Sequence, residues 1–176
     1  MTTVQTARLL LRPLEPADAE PYAAMRFHPE VARWLLAADG DPVTAARATI
    51  ERFAAGWQAR GYAPWGIFRD GRLIGHGGLN HVPEFGETEV LWALHPEAWG
   101  HGYATEAAEA ALRLGFGTLG LPLIFAITLP DNLASQAVMK RLGLGYRRRV
   151  RYKGFEDIVW FDIERAAGRA RQAAAG

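Results

Sequence analysis

The stretch Trp99-Gly100-His101-Gly102-Tyr103-Ala104-Thr105-Glu106 connects a predicted strand to a predicted helix, and the rest of the fold can be built outward from it. Its two glycines permit a tight turn and a close approach of the backbone to a ligand. The helix that follows presents unpaired backbone N–H groups and the positive end of its dipole, which together suit a phosphate or pyrophosphate. Taken alone, the turn is also compatible with a plain strand-to-helix connection. The neighbouring sequence must therefore distinguish a phosphate-binding turn from a purely structural one.

The segments beside this turn predict a strand before it, and a strand and a helix after it. Residues 88–94 form the preceding strand, in which Glu89 is the polar member of an otherwise apolar run. Residues 123–129 are almost continuously apolar, as expected for a central strand. Asp131 or Asn132 then caps a further helix.

The remaining segments predict a mixture of strands and helices joined by short turns. Asp41 is the expected cap of a helix over 42–58, whose apolar residues recur at three- and four-residue spacing. Asp70-Gly71 is a strong signal for a hairpin turn. The other predicted elements are a strand over 8–14, helical stretches over 15–27 and 29–36, strands over 62–69, 72–79, 146–152 and 155–163, and a loop over 80–86.

The chain has 176 residues, and its length and composition bound its class. The length corresponds to one domain over 1–176, and the order of predicted elements makes it an α/β or α+β domain with a mixed sheet. Its core is expected over residues 6–163, and the Ala- and Arg-rich tail over 164–176 is expected to fray. The net charge of +1 lacks the basic excess of a dedicated nucleic-acid binder, so no nucleic-acid partner is predicted.

Residue content argues against several kinds of site. The absence of cysteine excludes a thiol nucleophile, a zinc–thiolate site and disulfides. His76, His81, His95 and His101 show no ligand spacing such as HExxH, so no metal is predicted. No apolar run approaches the length of a membrane span, and the first residues do not form a signal peptide. We therefore expect a cytoplasmic protein without a membrane partner.

Several motifs occur in the order typical of a known superfamily. The turn is followed by the strand 123–129 and by Pro130-Asp131-Asn132-Leu133-Ala134-Ser135, and the chain opens with Thr6-Ala7-Arg8-Leu9-Leu10-Leu11-Arg12-Pro13-Leu14. This arrangement resembles the GNAT superfamily of N-acetyltransferases over roughly residues 6 to 163. The opening segment and the turn resemble its RimJ/RimL-type branch. The resemblance implies a mixed sheet of about seven strands flanked by helices, with a splay between the fourth and fifth strands.

The resemblance also implies acetyl-CoA as cosubstrate and a set of residues that bind it. The glycine turn would hold the pyrophosphate, and the strand ends near Leu94 and Ile127 would form a slot for the pantetheine arm. The residues assigned to the cofactor are Ala93, Leu94, Trp99, Gly100, His101, Gly102, Tyr103, Ala104, Thr105, Thr128, Asn132 and Ser135. Two positions depart from the pattern: Trp99 stands where the superfamily has Arg or Gln, and Met139 where many members have a Tyr that protonates the thiolate.

Direct attack of an amine on acetyl-CoA in a ternary complex requires a group that removes a proton, since a protonated amine is not a nucleophile. Glu89 is the candidate base, and the resemblance supports a glutamate on this strand; Glu87 and a histidine-bound water are its rivals. Ser135, Asn132 or water would hydrogen-bond the departing sulfur, which makes Ser135 the second candidate catalytic residue. Backbone N–H groups near Leu94 are expected to stabilise the developing oxyanion.

The sequence leaves the acceptor amine open. The RimJ/RimL resemblance implies the N-terminal α-amine of a protein, and a small amine such as an amino acid, polyamine or antibiotic is the alternative. Candidate pocket residues are Trp34, Trp57, Trp65, Asp39, Asp41, His81 and Glu84, for each of which a core or solvated role is the commoner explanation.

Two alternatives from other classes accompany the enzyme hypothesis. The departures at Trp99 and Met139 leave open a non-catalytic acyl-CoA-binding domain, and the glycine turn can also be purely structural. The basic cluster Arg147, Arg148, Arg149 and Arg151 predicts a solvated strand end, with a phosphate contact as the second interpretation. Both a monomer and a homodimer are compatible with the pattern.

Overall fold

A computed structural model of the protein describes residues 2–35 and 40–174, which form a mixed sheet of eight strands flanked by helices. The strands are β1 (Val4–Gln5), β2 (Leu10–Arg12), β3 (Pro64–Arg69), β4 (Arg72–Val82), β5 (Glu87–Leu94), β6 (Leu123–Thr128), β7 (Gly145–Tyr152) and β8 (Phe155–Glu164). The helices are α1 (Ala19–Arg26), α2 (Pro29–Ala32), α3 (Pro42–Arg60), α4 (Tyr103–Arg113), α5 (Leu133–Arg141) and α6 (Arg165–Ala174). The predicted α/β class is confirmed.

The strand order places the predicted splay near the middle of the sheet. Neighbours run β1-β2-β3-β4-β5-β6-β8-β7, and the β5–β6 pair is parallel whereas the other pairs are antiparallel. Within the described residues, β5 and β6 pair at Glu89↔Phe125 alone, although β5 continues to Leu94 and β6 to Thr128. The two strands therefore separate beyond Glu89 and open a gap in the sheet. They correspond to the predicted strands 88–94 and 123–129, the fourth and fifth in the predicted order, between which the resemblance implied a splay; the additional strand β1 makes them β5 and β6.

Different helices cover the two faces of the sheet. Because successive side chains of a strand point to opposite faces, the contacts of β4 show which helices lie on each face. His76 of β4 lies against α1 and α3, with its ring 5.5 Å from Tyr22 and 5.9 Å from Phe53. Leu79, three residues further along, approaches Gly115 just after α4. Helices α1 and α3 thus pack on the face that carries His76 and Glu89, and α4 packs on the opposite face.

Local signals determine the helix starts and the tight turns. Asp41 caps α3 by accepting a hydrogen bond from the Thr44 N–H at 2.8 Å, as predicted. Asp70 and Gly71 have φ values of 49° and 75°, and the Lys153-Gly154 turn repeats this geometry at 47° and 84°. Both hairpins therefore have positive φ at each central residue, the conformation of a type I′ turn.

The N-terminal strand and the tail differ from the sequence predictions. The sheet has eight strands rather than about seven because residues 4–5 pair with β2, and the predicted strand 8–14 shortens to Leu10–Arg12. The tail was predicted to fray, but residues 165–174 form α6. Gly168 explains the docking of α6, since a Cβ there would lie 2.4 Å from the ring of Phe116.

Two further predictions of element bounds are corrected. The segment 80–86 was predicted as a loop, yet β4 continues to Val82 because Asn80, His81 and Val82 pair with β5. The helix predicted over 29–36 is α2, which ends at Ala32; Leu36 lies outside the described residues. Among the helices that the structure describes, none has the length and apolarity needed to cross a bilayer.

Candidate active site

A cavity of about 1,210 Å³ opens where β5 and β6 separate, and its lining contains most of the predicted site residues. The predicted residues that line it are Glu89, Ala93, Leu94, Trp99, Gly100, Gly102, Tyr103, Ala104, Thr105, Thr128, Asn132 and Ser135. His101 is exposed and is not among the lining residues. We call the part formed by residues 99–105 and the start of α5 the turn end, and the part around Glu89 the carboxylate end.

The turn end presents the free N-terminus of α4 to the cavity. Gly100 and Gly102 adopt φ values of 77° and 79°, a region that residues with a Cβ rarely adopt. The first helical hydrogen bond runs from the Glu106 N–H to the Gly102 carbonyl at 3.0 Å, so the N–H groups of residues 103–105 precede the ladder. Within the described residues, no side chain caps this terminus. An anion fits here because donors and the helix dipole converge.

Thr105 adds a second observation that fits a bound phosphate. The residue lines the cavity, whereas its Oγ1 is enclosed by the protein and has no hydrogen-bond partner among the described residues. A buried hydroxyl without a partner is costly in a folded protein unless a ligand or water satisfies it. The backbone donors of α4, with the Thr105 side chain beside them, therefore form a suitable site for a phosphate or pyrophosphate group.

Helix α5 begins differently, although it faces the same cavity. The Asn132 side chain accepts a hydrogen bond from the Ser135 N–H at 3.1 Å, so this terminus is capped by its own residue. Asn132 and Ser135 are half-buried and line the cavity. Met139 also lines it and is 1% exposed, so an apolar thioether occupies the position where many superfamily members have a tyrosine.

The chain's opening segment braces the turn. The Arg8 guanidinium donates to Glu106 at 2.7 Å and to the His101 carbonyl at 2.9 Å, and it lies 4.7 Å from the Tyr103 ring. Burial alone would raise the pKa of Glu106, but hydrogen bonds from Thr6 and Arg8 outweigh it and lower that pKa. The two segments that carried the RimJ/RimL resemblance are therefore in direct contact.

Trp99 and His101 are engaged within the protein. The indole N–H of Trp99 donates to the Leu94 carbonyl at 2.8 Å, which ties the turn to the end of β5. His101 Nδ1 lies 2.7 Å from the Trp99 carbonyl, and its ring stacks on Tyr103 with centroids 5.5 Å apart. Their assignment to the cofactor stays a prediction, and for Trp99 the indole N–H is already used by Leu94.

The carboxylate end is centred on Glu89, which is 9% exposed. Burial raises the pKa of Glu89 to about 7, and a hydrogen bond from Asn80 and the charge of Lys153 act in the opposite direction. Asn80 is the cross-strand partner of Glu89 in the β4–β5 register. A carboxylate with a pKa near neutrality is suited to accept a proton during a reaction at physiological pH.

Sequence reasoning missed several polar side chains that line the same cavity as Glu89. Arg26, Arg52, Asn80, Tyr152 and Lys153 all line the cavity, but they come from α1, α3, β4 and the β7–β8 hairpin. Burial raises the pKa of Tyr152 to about 12, with Glu84 and Glu89 adding to the effect, so its hydroxyl remains a donor. Alternation with His76 would have placed Asn80 on the same face as Glu89, but the predicted strand ended at residue 79, so this signal was missed.

His76 is a neutral histidine beneath this part of the cavity. It is 4% exposed, and its Nδ1 lies 3.2 Å from the Tyr22 hydroxyl. Burial lowers the pKa of His76 to about 3, and the charges of Arg26 and Arg52 lower it further. In residues 2–35 and 40–174, no group of three or more His, Cys, Asp or Glu side chains is placed to hold a metal ion.

The other candidate residues divide between the cavity and the scaffold. Trp34 lines the cavity, whereas Trp57 and Trp65 are buried with ring centroids 5.8 Å apart. Glu87, the rival base, lines a separate cavity of about 390 Å³. Asp41 caps α3. His81 is half-buried on β4 and does not line the main cavity. The negative charge of Glu84 raises the pKa of Tyr152, as described above. Asp39 lies outside the described residues.

The basic cluster of β7 is a network of ion pairs across the hairpin. Arg147, Arg149 and Arg151 pair with Asp162, Asp157 and Glu156 of β8, and Arg148 lies over the Trp160 ring. Three of the four arginines are thus neutralised by neighbouring carboxylates. This arrangement favours the interpretation as a solvated strand surface over a phosphate contact.

Comparison with known proteins defines the class to which this fold and cavity belong. The acetyltransferase (GNAT) domain family matches residues 8–145. YoaA, an uncharacterized N-acetyltransferase of Bacillus subtilis, is 32% identical over 143 residues, covering 80% of this chain and 81% of that protein. The FsC-acetyl coenzyme A-N(2)-transacetylase of Aspergillus fumigatus is 32% identical over 81% of this chain and 64% of its own length.

A solved structure shows the same architecture. The acetyltransferase from Agrobacterium tumefaciens superposes with a TM-score of 0.81 at 29% identity, covering 93% of this chain and 95% of that one. The chain therefore belongs to the GNAT family of acetyltransferases. It is an N-acetyltransferase, the activity for which its relatives are named, and enzymes of this family use acetyl-CoA. Its RimJ/RimL-type character remains a hypothesis.

Proposed function

We propose that this enzyme transfers the acetyl group of acetyl-CoA directly to a primary amine, in a ternary complex with Glu89 as the general base. The observation that carries this proposal is the position of Glu89: a buried carboxylate with a pKa of about 7 lies where β5 and β6 separate. The same cavity holds the uncapped start of α4 at its other end. One cavity therefore contains both the candidate base and the anion site.

The turn end fits acetyl-CoA, which supplies the acetyl group as an activated thioester. The N–H groups of residues 103–105 and the Thr105 hydroxyl are the donors for the pyrophosphate. Gly100 and Gly102 leave the backbone accessible, because nothing that a Cβ would meet lies closer than 3.5 Å. The gap between Leu94 and Thr128 accommodates the pantetheine arm beside exposed strand edges.

Glu89 performs the proton transfer that attack requires. Its carboxylate accepts the proton of the amine, directly or through one water, as the bond from nitrogen to the acetyl carbon forms. The bond from carbon to sulfur then breaks, the departing thiolate takes up a proton from solvent, and Glu89 releases the proton of the amine to solvent. Ser135 is the candidate donor of a hydrogen bond to that sulfur, because Met139 cannot supply one. A coenzyme A thiol leaves without a strong acid since its pKa lies not far above neutrality.

The acceptor remains a choice between the two amines that the sequence suggests, the N-terminal α-amine of a protein and a small amine. The relative from Aspergillus fumigatus is named for transfer to a nitrogen designated N(2), which supports an amine acceptor in general. The cytoplasmic location and the choice between monomer and homodimer are expectations from sequence, and this proposal does not depend on them.

The test is thiol release from acetyl-CoA with a panel of amines, for the wild-type enzyme and for Glu89→Gln. We expect the substitution to lower kcat/KM by roughly a hundredfold or more, because it removes a general base. Binding of acetyl-CoA, measured by thermal protection, should be unchanged. Equal rates in the two proteins would exclude Glu89 as the base. Binding without turnover of any amine by either protein would favour the non-catalytic acyl-CoA-binding alternative.

A further inference from the structure

Three cationic side chains converge on the carboxylate end of the cavity from separate elements. Arg26 is the last residue of α1, Arg52 lies in α3, and Lys153 is in the turn between β7 and β8. All three line the same cavity as Glu89. Their positive charges also act on buried groups of the cavity lining. Arg26 and Arg52 lower the pKa of His76, and Lys153 lowers that of Glu89, against the larger effect of burial.

These cations have no carboxylate partner within residues 2–35 and 40–174. Arg52 lies 5.2 Å from the Phe53 ring and Lys153 lies 5.1 Å from the Tyr152 ring, while the charge of Arg26 lowers the pKa of Tyr22, which burial raises. Elsewhere this chain pairs its arginines closely, as along β7 and at Arg8. The cations at the cavity are thus available to a ligand.

The nearby negative charges do not balance them. Glu89 is the reacting group and becomes neutral when it accepts a proton, and the charge of Glu84 acts on Tyr152. Glu106, Glu109 and Asp131 also line the cavity, but they lie on α4 and just before α5, at the turn end. Asp41 is occupied at the start of α3. A polycationic acceptor would meet repulsion here, whereas an acceptor that brings its own negative charge would be attracted.

We propose that the acceptor is an amine that also carries an anionic group, a carboxylate or a phosphate, and that Arg26, Arg52 and Lys153 bind this group while Glu89 receives the amine. The inference rests on the proposed function and narrows its substrate class. Guanidinium and ammonium groups bind carboxylates and phosphates through charge-assisted hydrogen bonds, and arginine does so with two parallel bonds. Binding the anion at these residues would orient the amine toward Glu89.

The kinetic test compares amines that differ only in the anionic group. Suitable pairs are lysine with lysinamide, β-alanine with β-alaninamide, O-phosphoethanolamine with ethanolamine, and the peptide amides Ala-Asp-Ala and Ala-Asn-Ala. We expect kcat/KM to be at least about tenfold higher for the anionic member. The carboxamide of an amino acid has the larger fraction of free amine at a given pH, so amine ionisation cannot create this preference. The pair with the largest ratio identifies the source of the anion.

Two variants locate the effect. Arg52→Gln and Lys153→Gln should each reduce the ratio of kcat/KM between the anionic and neutral members by roughly tenfold, through loss of rate with the anionic member. Arg47→Gln is the matched control, because Arg47 is exposed on α3 and does not line the cavity. It should leave the ratio unchanged. A ratio near one in the wild-type enzyme, or equal losses for both members of a pair, would overturn the proposal.

A binding measurement separates this inference from the proposed function. With coenzyme A in place of acetyl-CoA no acetyl group can be transferred, so thermal unfolding reports binding of the amine alone. The anionic member should raise Tm more than its neutral partner, and Arg52→Gln should abolish the difference. No difference in the wild-type enzyme would overturn the inference even if acetyl transfer occurs. A difference without any acetyl transfer would refute the proposed function and leave anion binding intact.

Discussion

The two ends of the cavity differ in composition: backbone groups form the turn end, and side chains form the carboxylate end. The turn end consists of backbone: two glycines with positive φ and the uncapped N–H groups that begin α4, all within one short stretch of sequence. The carboxylate end consists of side chains that α1, α3, β4, β5 and the β7–β8 hairpin bring together. A site built from backbone groups depends little on side-chain identity, whereas a site built from side chains can change its specificity without altering the fold.

A pH–rate profile tests the carboxylate end and has the largest expected effect. The acceptor amine loses its own proton as pH rises, which gives log(kcat/KM) a slope of about one below the amine pKa. Because Glu89 must also be ionised and its pKa is about 7, the slope should be about two below that pH and about one above it. Across two pH units below neutrality, Glu89 alone accounts for roughly a hundredfold in kcat/KM.

The Glu89→Gln enzyme provides the comparison for this profile. It has no carboxylate to ionise, so its slope should be about one throughout the range, at a much lower rate. A single slope in the wild-type enzyme would show that Glu89 does not titrate during the reaction. A bend near pH 7 in both enzymes would assign the titration to another group.

The same burial that tunes Glu89 should reduce stability at high pH. The pKa of Glu89 in the folded state is about 7, above its ordinary value of 4.5, so its favourable contribution is complete below pH 4.5 and is lost as pH rises through 7. The shift corresponds to roughly 3 kcal/mol. Between pH 4 and pH 9, Glu89→Gln should therefore gain about that much stability relative to the wild type in urea unfolding.

Removal of an exposed carboxylate controls for the change in net charge. Glu51 is exposed on α3, away from the cavity lining, and Glu51→Gln should follow the wild-type pH dependence. If both glutamine variants gained stability equally, general charge repulsion rather than burial of Glu89 would explain the trend.

The features that could be predicted from the sequence are those whose signal lies within a single segment. Asp41, Asn132 and the Gly100–Gly102 turn were found because caps and positive-φ glycines act over a few residues. Glu89 was found because it is a polar residue within an apolar strand. In each case the signal lies within the segment itself, so no knowledge of tertiary packing was needed.

The misses have a common physical reason, which is that they depend on contacts between distant segments. Asn80 reaches Glu89 only because β4 continues to Val82, and the glycines of β4 concealed that extension. Helix α6 is stable where Gly168 packs closely on Phe116, a contact that the tail's composition does not reveal. Arg26 and Arg52 are ordinary helix-surface residues by sequence, and only the packing of α1 and α3 directs them to the cavity.

A substitution at Gly102 tests the turn end without touching the carboxylate end. Gly102→Val places a β-branched side chain at φ 79° and should distort the start of α4, raising KM for acetyl-CoA by roughly tenfold or more. Gly71→Val is the matched control, because Gly71 has φ 75° in the β3–β4 hairpin and a Cβ added there would meet no atom within 4 Å. Both should lose similar stability, and only Gly102→Val should change KM. An equal change in KM for both would show that acetyl-CoA binding responds to general destabilisation.

Thr105 gives the smallest expected effect and the sharpest test of what the turn end is for. Its buried Oγ1 lacks a partner among the described residues, so Thr105→Val removes an unsatisfied polar atom while keeping the shape of the side chain. The free enzyme should become more stable by up to about 1 kcal/mol, whereas its affinity for acetyl-CoA should fall by a few fold, to roughly tenfold. Urea unfolding without ligand and thermal protection by acetyl-CoA measure the two effects separately. A gain in stability together with a loss of affinity for acetyl-CoA would mean that the hydroxyl serves ligand binding and destabilises the free enzyme. A loss of stability without a change in affinity would instead assign Thr105 a structural role, and the backbone N–H groups of α4 would then be the principal donors.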